Sequence, residues 1–269
     1  MSNAEKRRAR KESQNSGAAI LHLNRIKPAT NAIFNILFVI LSFICIFPVF
    51  YVIMISVSSE ESIRLNGYAL WPETFSNSAY MFLWNERGTI FQALLVSIAV
   101  TVIGTVLGVL LTTSMGYVLS RPQYRLRGFF NWVVFIPMIF NGGMVANYVV
   151  MVNMLHLNDT IWSLVLPLAV SSFNVIICKT FFRTTIPDSI IESAKIDGAT
   201  QLTIFGRIVI PISKPVFATI GLFLTFGYWN DWFQSSLYIN RTDLLSLQAL
   251  LNNISRIVAM SFCEPRSCS

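Results

Sequence analysis

The chain has 269 residues, of which 54% are hydrophobic and 12% are charged, with a formal net charge of +7. Soluble globular proteins usually carry about 25% charged residues, so this composition and a mean hydropathy of +0.59 exclude an ordinary soluble protein and predict an integral membrane protein. The basic residues lie in gaps between apolar runs and form no stripe with interleaved aromatic residues, which argues against nucleic acid as a partner.

The predicted elements begin with a basic tail. Residues 1–30 contain seven Lys and Arg residues against two Glu residues, and we expect a cytoplasmic N-terminal tail there. Five apolar stretches follow, each with roughly the 20 residues that a membrane crossing needs and too long for barrel strands. They are 32–57, 90–119, 129–155, 161–182 and 215–239.

These stretches predict an all-α, polytopic helical membrane protein, with membrane lipid around it. Its transmembrane domain is expected at 31–239, including a cytoplasmic loop at 184–214. The remaining residues, 240–269, are expected to form an extracytoplasmic amphipathic segment and an atypical tail.

The loops between the apolar stretches alternate in basic residues. Loop 58–88 has more Glu than Arg, "RPQYRLRG" supplies three Arg residues, 156–160 has no Lys or Arg, and the loop after 182 is basic again. By the positive-inside rule the N-terminus and loop 184–214 face the cytoplasm.

Loop 184–214 contains "ESAKIDGATQLTIFGRIVIP", Glu192 to Pro211, which predicts two short amphipathic helices about Gly198. A helix of ten residues rises only about 15 Å and cannot span a bilayer. The pair either packs under its own bundle or inserts into a groove of a partner. The spacing alone leaves both alternatives open.

"ESAKIDGA" followed by "RIVIP" and Pro215 resembles the EAA loop of permease subunits of binding-protein-dependent ABC importers, with Ser193 and Ile210 in place of the usual Ala and Leu. The resemblance implies a type I importer permease bundle with a coupling helix that docks on a separate cytoplasmic ATPase subunit. The residues implied for that contact are Glu192, Ser193, Ala194, Asp197, Gly198 and Ala199.

Two further stretches, "NGGMVANYVVMVNMLHLNDT" (141–160) and "GYWNDWF" (227–233), are similar to the maltose-type branch of carbohydrate permeases. The resemblance implies ATP-driven import of sugars or oligosaccharides across the bacterial cell membrane. It implies as partners a second permease in a heterodimer, two copies of the ATPase subunit and an extracytoplasmic solute-binding protein.

The substrate-path candidates lie in these same two stretches. In a sugar permease, Trp faces stack on pyranose rings while Asn and Asp side chains bond to hydroxyl groups, although the Trp residues also fit an interfacial aromatic belt. Asn141 belongs to a Gly- and Asn-rich pattern that suits close helix packing or a polar cavity wall. The candidates are Trp229, Asn230, Asp231, Trp232 and Asn141.

Gly104 and Gly108 form a GxxxG pattern in the second apolar stretch. This pattern suits close approach of two membrane helices. We expect it to bring the two permease subunits together.

The sequence contains no G-x-x-x-x-G-K-[ST] phosphate-binding loop, so we expect ATP hydrolysis in a partner and neither enzyme activity nor a cofactor in this chain. No cluster with metal-ligand spacing occurs, so no metal or catalytic residue is proposed. The alternatives are an ABC importer permease for a peptide, phosphonate or metal complex, and, less well matched, a membrane enzyme or an ion-coupled transporter, which usually carries more intramembrane charge.

The family has one more membrane crossing after the segment that matches "YWNDWF". Here "VAMSFCEPRSCS" follows an amphipathic stretch and has no long apolar run. The expectation is that the last crossing is lacking through truncation or a frameshift, with an impaired permease as a further alternative.

Overall fold

A computed structural model describes residues 28–59, 61–63, 67, 70–71, 74–140 and 142–263. Within these ranges the backbone is almost entirely helical, and the strand-like pairing in them is an isolated antiparallel bridge between Ser58 and Phe75. The all-α prediction is confirmed. The chain divides into two compact units, Met1–Trp84 and Asn85–Ser269, which are described separately.

The first unit is dominated by α1, Pro28–Ser56, which is long and apolar enough to cross a membrane. Its end is joined to α2, Ser78–Asn85, by a 2.9 Å hydrogen bond between the hydroxyl groups of Ser56 and Tyr80. The bridge Ser58–Phe75 closes the intervening loop.

The second unit is built around α3, Arg87–Ser120, a 34-residue helix that also meets the length and polarity of a membrane crossing. Small residues on one face let other helices approach its backbone. A Cβ atom added at Gly108 would lie 2.7 Å from the Ala169 carbonyl oxygen, and one at Gly116 would lie 2.5 Å from the Cys178 Cβ.

The GxxxG pair is part of this internal face. A Cβ atom at Gly104 would collide with the ring of Tyr228, and Gly108 packs on Ala169 and Leu224 of the same chain. The expectation that Gly104 and Gly108 join two permease subunits is therefore wrong. Their missing side chains serve packing within one chain.

The third predicted crossing, 129–155, consists of two shorter apolar helices. These are α4, Arg127–Ile139, and α5, Gly143–Tyr148, which continues as a π-helical turn, Val149–Met154. The break follows Pro137, where Phe140 takes an extended conformation and Gly143 has a φ of +79°. Glycine adopts that left-handed conformation without a Cβ clash.

The fourth predicted crossing is a bent pair, α6, Ile161–Ala169, and α7, Ser172–Thr185, with an angle of 48° at the break. Val170 and Ser171 are extended there. Pro167 weakens the helix just before the break, because its ring clashes with the preceding turn.

The chain then forms α8, Asp188–Ile196, and a second short helix, α9, Gln201–Ile212, which includes a π-helical stretch. We call residues 188–212 the Gly198 hairpin. It leads through an 82° bend into α10, Lys214–Trp229. Among the described residues, two helices are long and apolar enough to cross a membrane alone, or up to four if each bent pair is one span.

The predicted last crossing, 215–239, extends beyond the end of the helix that the structure forms there. Helix α10 stops at Trp229, and a separate helix, α11, Phe233–Tyr238, follows after a turn. A 3₁₀ turn, Thr242–Leu244, and α12, Leu247–Cys263, complete the described chain. The polar pair Asn230–Asp231 interrupts the apolar run, and hydrophobic composition alone did not reveal that break.

The core of the second unit joins α6, α7, the Gly198 hairpin and α10. Its centre includes Val165, Phe182, Ile204 and Ile220, all fully buried. The Tyr228 hydroxyl donates a 2.7 Å hydrogen bond to the Val165 carbonyl oxygen within this core. The hairpin is therefore packed as part of the bundle along one of its faces.

Candidate functional site

The Gly198 hairpin has the geometry that its sequence predicts. Gly198 has a φ of +80°, which ends α8 in the left-handed conformation. The Ala199 N–H bonds to the Ala194 carbonyl oxygen at 3.0 Å, and the Thr200 hydroxyl accepts a 3.3 Å bond from the Thr203 N–H. Thr200 therefore caps α9.

The hairpin has two unlike faces. Ile191, Ile204 and Val209 are buried against the bundle. In contrast, Ile196 is 86% exposed and Leu202 is 84% exposed. These two large apolar side chains lie at the surface of the hairpin beside its tip, and Leu202 also lines an open cavity between the hairpin and the end of α3.

The predicted docking residues lie along α8 and the tip. Glu192 and Ser193 are exposed, and the Ser193 hydroxyl bonds to the Ser189 carbonyl oxygen at 2.9 Å. Ala194 is buried and faces the bundle. The structure thus brings the set into one hairpin but turns Ala194 inward.

The tip itself is formed by Asp197, Gly198 and Ala199. Asp197 and Gly198 are exposed, and Ala199 is half-buried. The Gly198 N–H bonds to the Lys195 carbonyl oxygen at 3.0 Å, which tightens the turn. The Asp197 carboxylate and the Gly198 backbone are therefore accessible to a second molecule.

Polar contacts attach both ends of α8 to the end of α3 and the loop after it. The Arg121 guanidinium bonds to the Asp188 carboxylate at 2.9 Å. Near the other end of α8, the Lys195 ammonium group donates a 2.5 Å hydrogen bond to the Gln123 side-chain oxygen. Asp188 and Lys195 are two turns apart, so α8 is fixed at two points.

A cavity of about 440 Å³ lies between the hairpin and the end of α3. Its lining is mainly apolar and aromatic, and it includes Tyr117, Tyr124, Ile191 and Phe205. The rings of Tyr117 and Phe205 are 5.1 Å apart at its edge. The cavity opens to the surface, so it is a groove between the hairpin and the end of α3.

The substrate-path candidates of the last apolar stretch lie at the end of α10. Trp229 and Trp232 are exposed, and Trp232 packs edge-on against Phe233 with ring centroids 5.9 Å apart. The Asn230 side chain donates a 3.0 Å bond to the Phe226 carbonyl oxygen. Asp231 is half-buried.

Asn141, the remaining candidate, lies outside the described residues. No group of three or more His, Cys, Asp and Glu side chains in the described part of the chain could hold a metal ion. The arrangement at the end of α10 offers aromatic faces and polar side chains, which suit a hydroxyl-rich ligand.

A clasp that the sequence analysis missed joins two loops of the second unit. The Asp159 carboxylate accepts bonds from the backbone N–H groups of Asn240, at 2.6 Å, and Arg241, at 3.2 Å. These donors, Asn240 first, hold the pKa of Asp159 below its ordinary value. Asp159 has a φ of +55°, an uncommon conformation outside glycine.

The contacts of Arg121 were also missed, since the sequence analysis used "RPQYRLRG" only as a positive loop. The dipeptide Asn158–Asp159 is a turn signal and could have drawn attention to Asp159. No local signal identifies the partner of Arg121, because Asp188 lies 67 positions further along the chain.

Relatives with known descriptions match most of the chain. It is 42% identical over 211 residues to the polygalacturonan/rhamnogalacturonan transport system permease protein YtcP of Bacillus subtilis, covering 78% of this chain and 73% of that protein. It is 39% identical over 212 residues to Protein LplC of the same organism, covering 79% and 71%. The arabinooligosaccharides transport system permease protein AraQ of B. subtilis is 26% identical over 228 residues, covering 82% and 79%.

A solved structure has the same fold. A chain from the crystal structure of a bacterial ABC transporter involved in the import of the acidic polysaccharide alginate superposes with a TM-score of 0.74 and 27% identity, covering 86% of this chain and 82% of that one. The family described as "Binding-protein-dependent transport system inner membrane component" matches residues 104–261, which include α6 to α11 and the Gly198 hairpin. This chain therefore belongs to the family of inner membrane components of binding-protein-dependent transport systems.

Proposed function

We propose that the chain is a transmembrane permease subunit of an ATP-driven ABC importer that moves saccharides into the cell. The observation that carries this proposal is the Gly198 hairpin, which lies within the matched family region and exposes Ile196 and Leu202 on its outer face. Exposed apolar side chains beside a rigid tip are typical of a docking surface. A separate ATPase subunit is the partner that this surface fits.

In this proposal the hairpin contacts the ATPase subunit through Glu192, Ser193, Asp197, Gly198 and Ala199. The carboxylates of Glu192 and Asp197 are exposed and available to cationic side chains at the rim of a groove. Ala194 serves the contact indirectly, because it packs α8 onto the bundle. The ATP-binding chemistry belongs to the partner.

The proposed orientation places the N-terminus and loop 184–214 in the cytoplasm. The basic loops support it, since Arg121, Arg125 and Arg127 lie on the same side as the hairpin, to which Arg121 is bonded. The proposed domains are a basic tail at 1–30, a permease domain at 31–239 and an extracytoplasmic segment at 240–269.

The proposed partners are a second permease in a heterodimer, two ATPase copies and an extracytoplasmic solute-binding protein. The cargo is proposed to be an oligosaccharide, because two of the relatives, YtcP and AraQ, are named as permease proteins of polygalacturonan/rhamnogalacturonan and arabinooligosaccharide transport systems. The exposed rings of Trp229 and Trp232, with Asn230 and Asp231 between them, supply the aromatic and polar groups that sugars need. Asn141 is proposed as a further lining residue.

Uptake measurements test the function. Cells or proteoliposomes carrying the complete transporter are given labelled oligogalacturonides and arabino-oligosaccharides, with a dipeptide as the non-sugar control. We expect uptake of at least one saccharide that survives a proton ionophore and stops on ATP depletion. Uptake that stops with the ionophore alone, or uptake of the dipeptide alone, would contradict the proposal.

The substrate path is tested separately with Trp232→Ala and Asp231→Ala, each in an assembled transporter. We expect saccharide uptake to fall at least tenfold while the ATPase subunit still copurifies. Unchanged uptake in both variants would remove these residues from the path.

A further inference from the structure

We infer that Arg121 is a positioning residue that transmits movement of the Gly198 hairpin to α3, an inference that rests on the proposed function. It deepens that function by naming the side chain through which an ATPase-driven displacement of α8 would reach the bundle. The inference depends on what the guanidinium group contacts.

The Arg121 guanidinium joins three elements at once. One terminal nitrogen donates to the Asp188 carboxylate, the first residue of α8, at 2.9 Å. The other donates to the Phe182 carbonyl oxygen of α7 at 3.0 Å, and Nε donates to the Ser120 hydroxyl at the end of α3, also at 3.0 Å. Each nitrogen therefore has a partner in a different helix.

The surroundings hold the guanidinium in place. It lies over the ring of Tyr117, with Cζ 5.2 Å from the ring centroid, and its side chain is only 13% exposed. A planar guanidinium stacked on an aromatic ring makes directional contacts that a lysine cannot reproduce. The Asp188 side chain is 55% exposed, so the carboxylate is the accessible end of this connection.

Other contacts also join the hairpin to the bundle. Ile191, Ile204 and Val209 are buried against it, and the open 440 Å³ cavity lies between the hairpin and the end of α3. Lys195, near the end of α8, and Gln123, in the loop after α3, form the second polar connection. Both side chains are long and flexible. Arg121 is the more rigid of the two connections because three helices fix its orientation.

A purely stabilising role makes a different prediction. If Arg121 only supported folding, its loss would lower the amount of assembled transporter and leave each assembled transporter working normally. If it transmits movement, assembled transporters would still hydrolyse ATP but import less cargo for each ATP consumed.

The test uses the complete transporter, reconstituted with its binding protein and cargo, with Arg121→Gln, Asp188→Asn and the double variant. Arg125→Gln is the matched control, since Arg125 is an exposed arginine in the same loop. ATP hydrolysis, cargo uptake and the amount of copurified ATPase subunit are measured for each variant.

We expect Arg121→Gln to keep ATPase copurification and cargo-free hydrolysis within about twofold of wild type and to lower cargo imported per ATP at least tenfold. Asp188→Asn should lower this ratio too, and the double variant should be no worse than Arg121→Gln, because both changes remove the same contact. If Arg121→Gln does not assemble, Asp188→Asn carries the test, because its side chain lies at the surface.

An unchanged cargo-to-ATP ratio in Arg121→Gln or Asp188→Asn, or additive losses in the double variant, would overturn the inference. A loss in Arg125→Gln as large as that in Arg121→Gln would also overturn it. Failure of the proposed function can be distinguished from failure of this inference, because in the former case the wild-type transporter itself would show no ATP-dependent saccharide uptake.

Discussion

The Gly198 hairpin and the segment 229–246 adjoin opposite ends of α10, and they expose different kinds of apolar side chain. The hairpin exposes the aliphatic residues Ile196 and Leu202, whereas the segment exposes the rings of Trp229 and Trp232. In segment 229–246, the Ser246 N–H bonds to the Ser235 hydroxyl at 3.0 Å, and the Ser246 hydroxyl bonds to the Asp231 carbonyl oxygen at 3.3 Å.

This difference indicates two mechanical roles. A segment whose polar groups bond to each other keeps its shape without a partner. A hairpin with exposed apolar side chains gains stability when a partner covers them. Variants in the bundle, in the hairpin surface and near segment 229–246 test this difference.

The largest effect is expected where α3 supports both regions. Gly116→Ala places a Cβ atom 2.5 Å from the Cys178 Cβ, and such overpacking costs about 1–3 kcal/mol. Gly221→Ala is the control, because its new Cβ has its nearest neighbour at 3.8 Å and the helix gains up to about 1 kcal/mol from Ala. The unfolding temperature of the detergent-solubilised protein should fall for Gly116→Ala only, and equal values for the two variants would refute this packing.

The next effect concerns the hairpin surface. Leu202→Glu should weaken copurification of the ATPase subunit by about 30-fold, equivalent to about 2 kcal/mol, because an apolar side chain that the partner would cover becomes a charge. The unfolding temperature of the chain itself should stay unchanged, since Leu202 is exposed. Gln201→Glu adds the same charge next to it and should retain binding. Equal losses in the two variants would assign the effect to charge alone.

The Asp159 clasp makes the stability of the second unit sensitive to pH. Its folded-state pKa is lowered, first by the Asn240 backbone N–H, so its ionised form contributes stability above the ordinary aspartate pKa of about 4. That contribution is lost as the pH falls through the lowered folded-state value. Asp159→Asn should therefore unfold at a lower temperature than wild type at pH 7, and the difference should shrink below about pH 4. A difference that stays constant down to pH 2 would contradict the clasp.

The smallest effect is expected at the surface ion pair next to the clasp. Arg241 and Asp243 are 2.6 Å apart, and their side chains are both exposed. Such pairs contribute about 0–1 kcal/mol, so Asp243→Asn should change the unfolding temperature little at any pH. This variant is also the control for Asp159→Asn. If both variants lowered the unfolding temperature equally, the effect would come from the loss of any carboxylate in this region and not from the contacts of Asp159.

The sequence predicts the hairpin well because its signals are local. Gly198 and Thr200 determine the turn through their own backbone preferences, and α3 follows from one long apolar run. The breaks after Ile139 and after Trp229 escape the prediction, because apolar residues resume beyond both of them. A break inside an apolar run is decided by backbone conformation and neighbouring helices.

The polar contacts escape for a different reason. Arg121 meets Asp188 only after α3, α7 and α8 have packed together, and Asp159 meets Asn240 across 81 positions. The GxxxG pattern is a local signal, but it too leaves the contacting partner unidentified. Gly104 and Gly108 do mark a close approach, but the pattern does not say which helix approaches.

The most direct test of the account compares two exposed serines, Ser193 on the hairpin and Ser236 on α11. Each is changed to Cys in a chain whose four native cysteines are replaced by alanine and whose transport activity is retained. We predict that Ser193→Cys crosslinks to the ATPase subunit and reacts with a membrane-impermeant maleimide only in inverted vesicles, whereas Ser236→Cys reacts in intact cells and does not crosslink. Labelling of Ser193→Cys from outside the cell, or absence of its crosslink in a transporter that still imports cargo, would contradict the account.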